Sequence, residues 1–203
     1  MKVGVIADTH IPDRTDDLPA EILDILRGVS MILHAGDICE QSVLDRLAAI
    51  APVIAVRGNR DQERLPSLPE RTIVAAGPYR IGLIHGMRQR DQETADRVRY
   101  LRGDHRFIDQ RRYVHQAFAR DHVDCIVFGH THQVCHEIMD GILLFNPGGV
   151  VRSPRGDPSS VGILDINGGI HPSIVPLRYS LRPRTLSDQL RSAWRGHAAG
   201  QGE

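Results

Sequence analysis

Apolar residues along this chain come in short β-branched runs, and each run stops abruptly at a polar residue. Five of them read as buried strands: "KVGVIAD", "MILHAGD", "PVIAVRGN", "RIGLIHG" and "DCIVFGH". Amphipathic stretches separate the first three. "LPAEILDILRG" has Pro19 near a helix start and Gly28 at its close, and "EQSVLDRLAAI" spaces Val43, Leu44, Leu47 and Ile50 along one helical face. Strands alternating with helices of about ten residues predict βαβ units and a largely parallel sheet. After Arg60 the pattern changes to hairpins, with turns expected at Gly77-Pro78, Asp140-Gly141 and Asn167-Gly168-Gly169. A parallel βα half followed by a hairpin-rich half predicts an α/β sandwich of two mixed sheets. Residues 87–121 are polar and read as two helices, the second being "FIDQRRYVHQAFARDH". No internal repeat or linker divides the chain. Residues 1–177 read as one domain, and 178–203 as a basic tail, partly disordered.

Composition adds mostly exclusions. The 203 residues are 41% hydrophobic and 25% charged, with 25 basic against 25 acidic groups and a formal net charge of zero. That balance gives no overall attraction to nucleic acid or membrane. Lys2 is the only lysine, which codon bias in a GC-rich genome explains more simply than selection for arginine. Cys39, Cys125 and Cys135 form no CxxC pair, and Cys125 reads as a small core residue. The start "MKVGVIADTH" lacks an apolar stretch of signal-peptide length, and no segment approaches a membrane span. A reduced, cytoplasmic protein with no membrane partner is the expectation.

Chemistry gathers at the strand ends. Asp8 and His10 follow the first strand, Asp37 the second, Asn59 and Asp61 the third, His85 the fourth, and His130 and His132 the fifth. Singly these have bland readings: Asp8 and Asn59 as turn residues, His85 as a hydrogen-bonded strand-end histidine. Five such endings in one small domain make coincidence the poorer account, because open α/β sheets bind ligands outside the carboxyl ends of their strands. Two Asp, four His and one Asn offer hard oxygen and borderline nitrogen donors without thiolate. That set suits Mn²⁺, Fe or Zn²⁺, and seven donors exceed what one ion takes while keeping an open position, so two ions are expected.

The ordered motifs "DTH" (Asp8–His10), "GD" (Gly36–Asp37), "GNRD" (Gly58–Asp61), "HG" (His85–Gly86) and "GHTH" (Gly129–His132) resemble the calcineurin-like metallophosphoesterases. Within them the small YfcE-type phosphodiesterases are most similar, and "NPGG" (Asn146–Gly149) resembles a turn of that subgroup. The resemblance implies a four-layer α/β/β/α sandwich and two divalent ions, often Mn²⁺, with Fe, Zn or Ni as alternatives. Asp8, His10, Asp37 and His132 would hold one ion, and Asp37, Asn59, His85 and His130 the other. It further implies in-line attack on phosphorus by a hydroxide bridging the ions, with Asp37, Asn59 and Arg60 in the catalytic set, Asn59 and Arg60 also on the substrate phosphate, and a small phosphodiester or nucleotide-like substrate. Alternatives left open are a phosphomonoesterase and a partner-binding scaffold of the same fold, similar to the retromer subunit Vps29. A large nucleic-acid partner is not expected, and a homo-oligomer stays open.

Two departures stand out. Arg60 occupies the "GNxD" position where many relatives carry a histidine taken as the leaving-group acid; arginine stays charged and cannot serve as that acid, though it can clamp a phosphate. The second is the long segment from Met87 to His122, with nine Arg against six acidic residues, which reads either as a solvated helix pair or as a lid adding phosphate contacts. His34 is expected behind Asp37 as a packing or supporting group. His105, His115, His122, His136 and His171 are expected to be ordinary surface or core histidines.

Overall fold

Two five-stranded sheets stack face to face in the computed structural model, which describes residues 1–103, 107–151 and 158–178. The first sheet contains β1 (Lys2–Ile6), β2 (Met31–His34), β3 (Val53–Ala55), β9 (Ser160–Ile166) and β10 (Ile170–Pro176), in the order β10-β9-β1-β2-β3. The second contains β4 (Arg71–Ala76), β5 (Tyr79–Ile84), β6 (Cys125–Val127), β7 (Val134–Met139) and β8 (Ile142–Pro147), in the order β4-β5-β6-β8-β7. Both sheets are mixed. β1, β2 and β3 run parallel, as do β5, β6 and β8, while β4, β7, β9 and β10 arrive through the three hairpins whose turns the sequence marks.

Alternating side chains give this sandwich three apolar layers. Val3, Val5 and Leu33 of one sheet face Ile81, Leu83, Val127 and Phe145 of the other between the sheets. On the outer face of the first sheet, Ile6 and Ile32 meet Ile22 and Leu26 of the α1 (Ala20–Ile25) region and Val43 and Leu47 of α2 (Gln41–Ala48). On the outer face of the second, Ile84, Ile126 and Leu144 meet Val114 and Phe118 of the α4 (Ile108–Ala117) region. The architecture is therefore the expected α/β/β/α sandwich. α3 (Arg90–Leu101) precedes α4, so the polar segment after β5 does hold two helices.

The α4 helix ends earlier than its sequence pattern predicts. Phe118 leaves the helical range with φ −116° and buries its ring, 1% exposed, where a Cβ on Gly82 would lie 2.9 Å from it. Packing against the sheet outweighs one more helical turn. The expected tail disorder and His105 fall outside the described residues, apart from Arg178. Among the described residues no helix is long and apolar enough to cross a membrane.

Register matters more for function than the layers do. Ile6 pairs with His34 and His34 with Ala55, while Leu83 pairs with Val127 and Val127 with Phe145. The carboxyl ends of six parallel strands thus line up at one edge of the sandwich, and the chain leaves each of them through a loop rich in polar residues. Phe118 anchors the outer helical layer to this frame. Phe118→Ala is expected to lower the unfolding free energy by about 3–5 kcal/mol, read from urea or guanidinium denaturation followed by circular dichroism.

Candidate metal centre

Five of the nine non-glycine residues with positive φ, among the described residues, are strand-end residues singled out above: Asp8 (55°), His10 (49°), Asp37 (55°), His130 (73°) and His132 (55°). Left-handed backbone is uncommon outside glycine, and strain of this kind gathers where surrounding structure imposes it for function. Here main-chain bonds impose it. Asp8 N–H donates to Gly36 O (3.0 Å), His10 N–H to Asp37 O (2.9 Å), Gly129 N–H to His85 O (3.1 Å) and Val150 N–H to Ala7 O (3.1 Å), the last joining the two halves of the sandwich. Glycines permit the close approach of these loops. A Cβ on Gly58 would lie 2.2 Å from Asp37 Oδ1, and one on Gly149 2.5 Å from His132 Nδ1.

The side chains converge on two adjoining spots. In the first, His10 Nε2 and His132 Nε2 are 3.1 Å apart, with Asp8 Oδ1 at 3.9 and 3.5 Å from them. In the second, His85 Nε2 lies 3.1 Å from Asn59 Oδ1 and 3.3 Å from His130 Nδ1. Asp37 stands between: its Oδ2 is 3.6 Å from His10 Nε2 and its Oδ1 3.5 Å from His85 Nε2. Two groups with metal-ligand spacing are contained in this set, Asp8/His10/His132 and Asp8/Asp37/His85. All seven predicted donors are brought together.

Their hydrogen bonds fix which nitrogen is free. His85 Nδ1 donates to Ala35 O (2.7 Å) and His132 Nδ1 to Val151 O (3.0 Å), because a carbonyl oxygen can only accept. In the neutral form of either ring Nε2 then turns a lone pair toward the site, the form that binds a metal ion.

Electrostatics argue the same way. Asp8 is fully buried and Asp37 is 3% exposed, and burial raises the pKa of both carboxyls. Burial also pushes His85 down to about 4 and His10 lower still. Asp8 Oδ1 has no hydrogen-bond partner among the described residues. Buried carboxylates without compensating cations are costly, and an orphaned buried oxygen aimed at two imidazole nitrogens calls for a ligand. Divalent cations supply what is lacking, so the residues present fit metal ions.

Several supporting residues were not assigned roles by sequence. Asp61 marks a strand end yet holds no place among the donors. Its Oδ1 accepts from Ile38 N (2.9 Å) and Cys39 N (2.8 Å), and its Oδ2 from Gly58 N (2.7 Å), tying the Asp37 loop to the Asn59 loop. Asn146 of the "NPGG" turn donates to Gly129 O (2.9 Å) and so steadies the "GHTH" loop. His34 sits behind the Asp37 loop as expected, receiving Gly36 N–H on Nδ1 (3.2 Å) while Nε2 donates to Thr9 Oγ1 (3.2 Å). Glu93 of α3 reaches His130 Nε2 at 2.7 Å, a contact with no local sequence signal because it depends on how the segment after β5 folds back. Burial lowers the pKa of His130, but the Glu93 carboxylate more than offsets this and raises it. Arg60 donates its main-chain N–H to Asp37 Oδ1 (2.9 Å); the side chain is exposed, near enough to His10 to disfavour its protonation. His122, His136 and His171 are exposed, and His115 lies 3.7 Å from Asp140.

Gly58 offers a clean test of this packing, since its φ lies outside the left-handed region and alanine there reports the close approach alone. Gly58→Ala is expected to displace the Asp37 loop and weaken divalent-metal binding at least about tenfold, measured by chelator competition on metal-stripped protein.

Residues 1–169 match the family described as the calcineurin-like phosphoesterase superfamily domain. A protein of Methanothermobacter thermautotrophicus named as a probable metallophosphoesterase is 37% identical over 168 residues, covering 83% of this chain and 87% of that protein. Wild-type Vps29 of Entamoeba histolytica, solved in complex with Zn²⁺, is 26% identical with a TM-score of 0.63, covering 87% of this chain and 99% of that one. An archaeal phosphodiesterase shares the fold, with a TM-score of 0.59 at 22% identity over 87% of this chain and all of that one. On this similarity and on the strand-end centre, the chain belongs to the calcineurin-like phosphoesterase superfamily, a family that binds divalent metals.

Proposed function

We propose that this protein is a two-metal phosphodiesterase acting on a small phosphodiester. Asp8, His10, Asp37 and His132 hold one ion and Asp37, Asn59, His85 and His130 the other. The observation that carries this reading is Asp37, whose two oxygens face different imidazoles, His10 and His85, at 3.6 and 3.5 Å. A carboxylate placed in that way would serve both of two neighbouring cations. Donors of nitrogen and oxygen without thiolate suit Mn²⁺, Fe or Zn²⁺, and the family resemblance makes Mn²⁺ the ion of choice here. Bound there, two divalent ions supply Lewis acidity to phosphate oxygens and a water acidic enough to act as nucleophile near neutral pH.

The chain's own residues do the rest. Rigid loops fix the donors in advance of substrate, so little reorganisation is required during turnover. Arg60 is exposed, with its charge close enough to act on His10, and from there it binds a phosphate oxygen and stabilises the charge that develops in the reaction. It cannot give a proton to a departing alkoxide, so good leaving groups are favoured. Beside the centre lies a cavity of about 790 Å³, bounded by Gly58, His85 and Gly86 at one end and by Arg57, Arg71 and Tyr113 beyond. A monoester would leave that space empty, whereas a diester has a second arm to place in it. Arginines and one aromatic ring suit an anionic or nucleotide-like arm.

Metal-stripped protein reloaded with Mn²⁺ should hydrolyse bis-p-nitrophenyl phosphate faster than p-nitrophenyl phosphate, and Asp37→Ala should reduce kcat/KM by about 10³-fold. A folded protein with both ions bound and no turnover would refute the enzyme and direct attention to partner binding. Arg60→Ala is expected to lower kcat/KM on the activated diester by about 10–10²-fold. Arg60→His should instead raise activity selectively on esters with poor leaving groups, read from a series of aryl and alkyl diesters.

A further inference from the structure

One side chain connects the helical segment after β5 to the centre. Glu93 lies in the first turn of α3, and each of its oxygens has a partner: Oε1 accepts from Arg88 N–H at 2.8 Å, and Oε2 lies 2.7 Å from His130 Nε2. An ionised carboxylate only accepts, so Nε2 carries the proton and Nδ1 of the neutral ring keeps its lone pair. That Nδ1 faces His85 Nε2 at 3.3 Å, in the corner where Asn59 Oδ1 and Asp37 Oδ1 also point. We propose that Glu93 is a positioning residue for His130, setting its ring and tautomer so that Nδ1 completes the second ion's ligand set, and that α3 is thereby docked onto the metal centre. The proposal rests on the two-ion reading above.

The other histidines show why this carboxylate matters. His85 and His132 are oriented by the carbonyls of Ala35 and Val151, which belong to the sandwich itself. Among the three rings held through their outer nitrogen, His130 alone depends on a side chain, and one that comes from 37 positions earlier in the chain. Its ring is 20% exposed and the Glu93 side chain 29%, so neither is locked by burial alone. Orientation of His130 and docking of α3 are consequently one equilibrium: an ion that prefers the oriented ring also favours the docked helix, and the reverse holds by linkage.

Metal binding, apart from activity, tests this. The full chain is stripped of metal and titrated with Mn²⁺ against a chelator, and with Co²⁺ followed by visible absorption, for wild type, Glu93→Ala, Glu93→Gln and His130→Ala. Wild type should take two equivalents. Glu93→Ala should keep the first and bind the second about 10–100-fold more weakly, with an altered Co²⁺ spectrum at two equivalents. Glu93→Gln, which retains an accepting oxygen, should recover most of that loss, and His130→Ala should lose the second equivalent. Hydrogen exchange in α3 should slow on metal binding in wild type and not in Glu93→Ala. Wild-type affinity and spectrum in Glu93→Ala would overturn the proposal. So would parallel losses of both equivalents and of the metal-free melting temperature in the Ala and Gln variants, which would mark a bracing role only. A single ion in wild type would refute the two-ion reading itself, before any substitution is considered.

Discussion

Burying the carboxylates of Asp8 and Asp37 where two sheets meet is the constraint around which the edge of this sandwich is organised. Among the described residues, neither lies at salt-bridge distance from a lysine or arginine. Each receives a main-chain N–H, Asp8 from His130 and Asp37 from Arg60, and otherwise looks toward imidazole rings, of which burial lowers the proton affinity of His10 and His85. Such a pocket is electrostatically unfinished as protein alone. Its backbone is also strained, since left-handed conformation at a non-glycine residue costs on the order of 1 kcal/mol or more at each of five positions. Cation binding offsets both costs together, so a substantial part of the affinity for metal goes into stabilising a geometry the loops already hold.

The loops hold that geometry because the strand registers leave them little choice. β1, β2 and β3 deliver Asp8, Asp37 and Asn59 from one sheet, while β5 and β6 deliver His85 and the "GHTH" loop from the other. Asp61 clamps two loops of the first sheet with three main-chain hydrogen bonds. Asn146 steadies the "GHTH" loop from the neighbouring β8, and the His130 N–H to Asp8 Oδ2 bond, at 3.1 Å, crosses between the sheets. Rigidity thus falls off in order, from donors fixed by main-chain bonds within the sandwich to His130, whose outer nitrogen relies on a side chain of α3.

How much of this the sequence reveals follows from the range of each interaction. Alternating apolar runs are local, so the strands, the three hairpin turns and the two-sheet architecture are legible. Strand-end residue types are local as well, and the sheet rule carries them to one edge without knowledge of which strands adjoin. Asp61 shows the limit: its residue type and position look like those of Asp37, but one carboxylate turns into main-chain N–H groups and the other into the site. Only loop geometry separates them. The early end of α4 is another such case, where the hollow above Gly82 draws Phe118 out of its helical pattern. Glu93 is the extreme, one acidic residue among many in a polar segment, distinguished only by what lies opposite it once α3 has folded back.

Under the proposed function, selectivity among phosphate esters falls to the surroundings of the centre, because a shared fold and ligand set do not fix the substrate. Those surroundings come mainly from the stretch from Arg57 to Arg71 and from the segment between β5 and β6. Arg57 is paired to Glu70, which lies on the same cavity wall, at 2.7 Å, and Arg71 to Asp121 at 2.7 Å, which holds both guanidinium groups in place and offsets part of their charge. Arg88 lines the same cavity, and its main chain is bound by the Glu93 carboxylate that also orients His130. Substrate wall and metal ligand therefore share one anchor. If Glu93 positions His130 as proposed, a shift of α3 that changed the cavity would also turn His130, and under the proposed function a poorly fitting ester would be penalised twice, once in binding and once in the geometry of the metal site.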